Sequence, residues 1–327
     1  MMDPVVDPTD RLVDPLRSLK LAHIAKRYYE ENKSKVEIAD EFGISRFRVA
    51  RLIDDALAEG IVRIEIRTPT SIDADLSLEL EGRFRLERAV VATAADFSDE
   101  TGVRLAVARV AAALVAEILT SDDVVGIGWG RTLHDFVSEL PALPPCTAVQ
   151  VVGGMPEVEL WMNSVDLVRR FSERAEGPMH TFLLPYLVND DLVGAGLQSD
   201  PGFVAAKKLF RSLTVVVAGV GSWDPPRSGL FDLLTPTERH EIHGMGVVAD
   251  MFGALIDGLG NIVSSPLEAR STGISADDLG LVPSVIAIAA GVDKAKALGA
   301  ALRSGLISSL VTDSGVASAL LEDGSVD

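Results

Sequence analysis

The stretch KSKVEIADEFGISRFRVARLIDDALAEGIVRIEI, Lys33–Ile66, predicts two short helices joined by a tight turn. Ser34 is followed three residues later by Glu37, which is the pattern of a capping box at the start of a helix. Gly43 ends this helix, since glycine readily adopts the left-handed conformation that closes a helix. Ser45 is then the N-cap of the next helix.

The residues around this hairpin extend it to a winged helix-turn-helix domain over 17–68. Apolar residues recur at three- and four-residue spacing from Val49 to Leu57, which predicts a helix that stops at Gly60. A further amphipathic helix is expected over Ser18–Asn32, and the alternating residues 61–66 predict a strand or wing. In this class of fold the last helix enters the major groove of DNA.

The exposed side of that last helix is unusually rich in arginine. The residues expected to contact DNA are Ser45, Arg46, Phe47, Arg48 and Arg51. Arginine either binds guanine in a bidentate fashion or holds phosphates, and spacing alone does not assign the three arginines between these roles. The alternative is a solvated helix whose charges only face water, which would not explain why two caps, a turn glycine and a basic face occur in order.

The charge of the chain is unevenly distributed. The formal net charge is −18, but residues 17–67 hold eleven Lys or Arg against nine Asp or Glu, whereas residues 68–327 hold eighteen against thirty-five. The acidity therefore belongs to the rest of the chain, and a small basic surface is left to engage phosphates.

Composition excludes several other classes. No apolar run approaches the roughly 18 residues that cross a bilayer, so no membrane association is expected. Cys146 is the single cysteine, which excludes an intramolecular disulfide and fits the cytoplasm.

Residues 1–16, with acids and prolines instead of a secretory signal, are expected to be a disordered leader. Residues 69–86 are expected to be a linker helix, with an apolar face that is a candidate dimer contact.

The remainder, 87–327, alternates short apolar runs with helical stretches. Such runs include AVVATA, TAVQVVGG, LTVVVAGVG, SVIAIAAG and SSLVTD. Strands that are apolar throughout are buried on both faces, so the sequence predicts an α/β domain with a mostly parallel, Rossmann-like sheet.

The loop GIGWGRTL, Gly126–Leu133, follows one of these strands and opens a helix. Gly128 and Gly130 let the backbone approach an anion, while Arg131 and Thr132 supply a charge and a hydroxyl. The loop lacks the Walker and dinucleotide patterns, so no nucleotide is implied and no cofactor is expected. A glycine turn that only allows the strand and helix to pack is an equally good interpretation of the loop taken by itself.

Three further side chains are candidates at the strand ends. Lys294 is expected in the first turn of a helix, where a cation is disfavoured unless an anion accompanies it. A solvated lysine offset by Asp293 is an equally good interpretation. Asp250 is a candidate acceptor for sugar hydroxyls, although a helix-capping role is the more ordinary interpretation, and Arg270 is a candidate second phosphate clamp. The pair His240 and His243 has the wrong spacing for a zinc protease, so no metal site is expected.

With these residues in hand, the chain resembles the SorC family of bacterial transcriptional regulators from about Leu19 to Leu321. The resemblance rests on the helix-turn-helix stretch, on GIGWGRTL, and on SVIAIAAGVDKAKALGAALRSGLISSLVTDSGVASALL. It implies a regulator of carbohydrate genes, usually a homotetramer built as a dimer of dimers, with an effector domain similar in fold to sugar-phosphate isomerases. It also implies that Gly130, Arg131, Thr132, Arg270 and Lys294 surround a sugar or sugar phosphate, with Asp250 nearby.

Two departures bear on these implications. Ala50 stands where the family commonly has serine in its recognition helix, and Trp129 and Arg131 stand where some phosphosugar sensors carry smaller residues. An unphosphorylated sugar or polyol therefore stays open as the effector. Two other functions also stay open. One is a sugar-phosphate isomerase or deaminase that uses the same crevice, although no acid–base pair is identifiable for it. The other is a sensor that binds a protein partner instead of DNA.

Overall fold

The computed structural model describes residues 15–63, 71–93, 99–155 and 163–323. The chain divides into two compact units between Arg67 and Thr68.

The first unit contains three helices among its described residues. They are α1 (Pro15–Tyr29), α2 (Lys35–Phe42) and α3 (Arg46–Ala58). The predicted capping box is confirmed, because Ser34 accepts from the Glu37 amide while the Glu37 carboxylate accepts from the Ser34 amide. Gly43 adopts the left-handed conformation, with φ 62°, as the end of α2 requires.

The core of this unit forms where the helices pack together. Ile24 of α1, Ile38 of α2, and Val49 and Ile53 of α3 are buried against one another. The helix α1 begins at Pro15. The prediction of a disordered leader over 1–16 is therefore wrong for residues 15 and 16, which belong to this helix. Residues 1–14 lie outside the described residues. Of the expected wing, residues 61–63 are not in a strand, and residues 64–66 lie outside the described part of the chain.

In the second unit, eight strands of the described residues form one sheet. They are β1 (Ile72–Asp73), β2 (Arg88–Ala92), β3 (Val124–Ile127), β4 (Thr147–Gln150), β5 (Met179–His180), β6 (Val215–Ala218), β11 (Ser284–Ile288) and β12 (Ser309–Asp313). Their order is β1-β2-β12-β11-β6-β3-β4-β5, and every pairing is parallel except that of β1 with β2. The predicted mostly parallel sheet is confirmed.

A smaller antiparallel sheet is inserted after β6. Its strands are β7 (Gly221–Ser222), β8 (Val247–Met251), β9 (Ala254–Asp257) and β10 (Ile262–Val263). A turn at Asp257 joins β9 to β10, and the Asp257 carboxylate accepts from the amides of Leu259 and Asn261.

Helices cover both faces of the large sheet. The described helices of this unit are α4 (Ala74–Phe84), α5 (Glu100–Ile118), α6 (Arg131–Glu139), α7 (Ser164–Ala175), α8 (Asp191–Gln198), α9 (Pro201–Phe210), α10 (Gly229–Leu233), α11 (Pro236–Gly244), α12 (Leu267–Arg270), α13 (Ala276–Leu279), α14 (Ala295–Arg303) and α15 (Ser314–Glu322). All residues of β6 and of β12 are buried, as expected for strands covered on both faces.

The helix α4 is part of this unit and not a free linker. Leu80 is fully buried in the main hydrophobic core, and Leu76 and Phe84 pack against the same core. The apolar face suggested as a dimer contact is therefore used within the chain, because the sheet beside it offers apolar surface to cover.

Candidate effector cavity and DNA-binding helix

A cavity of about 500 Å³ lies at the carboxyl ends of three adjacent strands, β3, β6 and β11. The chain proceeds from β3 to β4 on one side, and from β6 through the small sheet to β11 on the other. The connections therefore diverge between β3 and β6, and open α/β sheets bind ligands in the crevice at such a point.

The loop after β3 supplies one wall of the cavity. Gly130 is the N-cap of α6 with φ 141°, and no side chain caps the first amides of this helix. Thr132 is buried in the first turn, whereas Arg131 is exposed and lines the cavity. Among the described residues, no ion pair involves Arg131. Uncapped amides and an unpaired guanidinium at a helix start favour an anion.

Lys294 lies on the opposite wall, after β11. It closes a single 3₁₀ turn, Val292–Lys294, that precedes α14, so it stands just before the helix and not within its first turn. Its Nζ donates to the carbonyl oxygen of Val220 at 3.0 Å. Burial, together with the nearby charge of Arg131, lowers the pKa of Lys294 to about 8, although Asp250 acts in the opposite direction.

Asp250 lines the cavity from strand β8, so the helix-capping interpretation of this residue is wrong. Its Oδ1 accepts from the indole Nε1 of Trp223 at 2.9 Å and from the hydroxyl of Ser228. Burial raises the pKa of Asp250, while these two hydrogen bonds and Lys294 oppose the rise. Gly221 lies against this carboxylate, and a Cβ there would come within 2.4 Å of Oδ1.

Several other residues line the cavity that are not among the predicted effector residues. Arg227 on the rim pairs with Asp293 at 3.0 Å and with Glu100 at 3.5 Å. Tyr186 and Trp129 form an edge-to-face aromatic pair, with ring centroids 6.0 Å apart. These five residues come from five separate segments, so only the fold brings them together.

Two of the predicted effector residues are not brought to the cavity. Arg270 on α12 is nearly buried, and its guanidinium pairs with Glu238 of α11 at 2.5 Å. Gly128 lies directly after β3 and packs against the ring of Phe252, which itself lines the cavity. Of the predicted effector residues, the cavity therefore gathers Gly130, Arg131, Thr132, Asp250 and Lys294.

Other kinds of site find no support in the described ranges. His240 and His243 are both exposed on α11. No group of three metal-binding side chains occurs in the described part of the chain, and none of the described helices is long and apolar enough to cross a membrane.

In the first unit, α3 presents the predicted DNA-binding side chains to the outside. Arg46, Phe47, Arg48 and Arg51 are exposed, and Ser45 caps the helix by accepting from the amide of Arg48. Phe47 is 74% exposed, although it is a large apolar residue. The guanidinium of Arg46 lies over its ring, 4.9 Å from the centroid.

Comparison with known proteins identifies the class. Residues 69–322 match the model of the family described as "Putative sugar-binding domain". The match spans most of the chain, which therefore belongs to this family of sugar-binding domains.

Full-length relatives extend the comparison to the first unit. The chain is 27% identical to the sorbitol operon regulator of Klebsiella pneumoniae over 92% of this chain and 97% of that protein. It is 26% identical to the deoxyribonucleoside regulator of Bacillus subtilis (strain 168), over 91% and 96%. The crystal structure of the full-length sorbitol operon regulator SorC superposes with a TM-score of 0.72, covering 93% of this chain and 99% of that one at 26% identity. The protein is a SorC-family transcriptional regulator and not an enzyme.

Proposed function

We propose that this protein binds operator DNA through α3 and regulates carbohydrate genes in response to a sugar or sugar-phosphate effector held in the cavity. The observation that carries the proposal is the convergence of Arg131, Lys294 and the uncapped start of α6 on one concave site. The names of the relatives, which include sorbitol and deoxyribonucleoside regulators, support a carbohydrate effector.

The charges of the cavity favour an effector with an anionic group. Arg131 and Lys294 are close enough that the first lowers the pKa of the second, and an anion between them would relieve this repulsion. Asp250 offers an acceptor for hydroxyl groups, and the aromatic pair of Trp129 and Tyr186 offers an apolar wall. A phosphorylated sugar or polyol has both kinds of group.

Thermal unfolding with a panel of ligands tests the effector. Aldose, ketose and polyol phosphates, their unphosphorylated counterparts and inorganic phosphate are compared at equal concentration. A ligand at a hundred times its Kd stabilises the native state by about 2.7 kcal/mol. We expect a sugar phosphate to raise the Tm of the wild type but not of Lys294→Met. Lys296→Met is the matched control, since this amine is 60% exposed and pairs with Asp224 outside the cavity.

The outcomes separate the alternatives. A free sugar that stabilises as much as its phosphate would contradict the phosphate, and stabilisation that survives Lys294→Met would contradict the site. Failure of the purified protein to protect any segment upstream of its own gene in footprinting would contradict DNA binding.

The assembly that the proposal requires is a homotetramer, a dimer of dimers, which presents α3 in pairs. Support comes from the SorC resemblance alone. Light scattering of the purified protein tests it, and a monomer at micromolar concentration would contradict it.

A further inference from the structure

The exposed face of α3 is centred on an apolar ring. At about 100° per residue, Phe47 and Arg51 lie on the same side of the helix, opposite the buried Val49 and Ile53. Arg46 and Arg48 each lie about 100° from Phe47, one on either side. Phe47 is thus the middle of the surface and is flanked by cations.

The described residues of the first unit leave this ring largely exposed. The two hydrophobic clusters of the described residues in this unit include Val49, Ile53 and Ala56 of α3, but not Phe47. Exposing a phenylalanine is unfavourable by roughly 2 kcal/mol relative to burying it, so a ring at this position favours a partner that covers it.

Charge complementarity indicates which partner this is. Three arginines surround the ring, and Asp54, one turn beyond Arg51, marks where the basic surface ends. Such a surface repels a basic partner and fits the phosphates that line both sides of a DNA groove. The ring belongs to the first turn of α3, which is the part of a recognition helix that reaches base edges.

We propose that Phe47 reads a thymine 5-methyl group in the major groove, while Arg51 contacts the neighbouring base edge and Arg46 and Arg48 hold phosphates. This inference rests on the proposed DNA-binding function. The methyl is the one apolar group that the major-groove edges of the bases present, and apolar side chains, phenylalanine among them, contact it. The guanidinium of Arg46 is stacked on the ring of Phe47 and orients it.

A double-mutant cycle between protein and DNA tests this role. The operator is first selected from random duplexes with the full-length protein, and each thymine of the selected site is then replaced by deoxyuridine, which lacks only the methyl. We expect one deoxyuridine per half-site to weaken wild-type binding roughly three- to fivefold, which corresponds to one buried methyl group. Phe47→Ala should bind the thymine and deoxyuridine duplexes equally well. Arg48→Ala, the matched control, should weaken both duplexes alike and leave their ratio unchanged.

This experiment distinguishes failure of DNA binding from failure of the role of Phe47. If no duplex is enriched, or if binding does not weaken with salt, the proposed DNA-binding function is contradicted. If the protein binds a selected site but tolerates deoxyuridine at every position, or if Phe47→Ala keeps the discrimination, only the role of Phe47 is overturned. Because Phe47 is exposed, Phe47→Ala is expected to unfold at the wild-type temperature, which a melting curve checks.

Discussion

Lys294→Met should change how the stability of the second unit depends on pH. The pKa of this lysine falls from an ordinary value of 10.5 to about 8 in the folded protein, because its amine is buried beside Arg131. Between about pH 8 and pH 10.5, Lys294 keeps its proton in the unfolded chain but has lost it in the folded chain. Stability therefore rises with pH across this window, and the rise disappears when the amine is removed.

The size of the effect follows from the two pKa values. Between about pH 7 and pH 9.5 the wild type should gain about 2 kcal/mol of unfolding free energy relative to Lys294→Met. Asp250 limits the fall in the pKa of Lys294, because its carboxylate favours the ammonium form. Arg131→Gln should shrink the gain, because it removes a cation that disfavours the ammonium.

Urea unfolding followed by tryptophan fluorescence measures this effect. The three tryptophans, Trp129, Trp161 and Trp223, all lie beyond residue 68, so they report on the second unit. Lys296→Met, with its exposed amine, should change with pH as the wild type does. If the wild type and Lys294→Met gained or lost stability in parallel over this range, the electrostatic account of the cavity would be refuted.

Three further predictions follow from local geometry. Gly221→Ala places a Cβ within 2.4 Å of the Asp250 carboxylate and should lower the unfolding free energy by about 1–3 kcal/mol. Gly219→Ala, with no atom within 4 Å of its Cβ, should be tolerated in the same urea titration, and equal losses for both variants would contradict the packing argument. Ser34→Ala removes the capping box of α2 and should destabilise the first unit by about 1 kcal/mol. The helical circular dichroism should then be lost at a lower urea concentration than in the wild type, and an unchanged midpoint would contradict the role of the cap. Affinity for an anionic effector, measured by calorimetry, should fall as pH rises above about 8, because Lys294 loses its charge there, and a flat profile would argue against contact with this amine.

The local features of the first unit were predictable from sequence because their causes are local. A capping box needs two residues three apart, and both partners at Ser34 and Glu37 are visible in the sequence. The same holds for the apolar strands of the large sheet, whose burial on both faces leaves a continuous apolar run. The loop after β3 was recognisable for the same reason.

The cavity was only partly predictable, because long-range partners decide the role of each side chain. Asp250 looks like a cap in sequence, yet it accepts from Trp223 and Ser228, which lie more than twenty residues earlier. Arg270 looks like a free cation, but Glu238 holds it 32 residues away in the chain. The apolar face of α4 looks available for a partner until the sheet that covers it is known.

Control of DNA binding at α3 by an effector in the cavity can be measured in one titration. Fluorescence anisotropy gives the Kd for the selected operator, with and without the stabilising ligand, for the wild type and Arg131→Gln. Coupling of effector binding to DNA binding predicts that the ligand shifts the wild-type Kd by about 5- to 150-fold, whereas the variant binds the operator with the same unliganded Kd and does not respond. A ligand that leaves the wild-type Kd unchanged, or that shifts the variant equally, would contradict it.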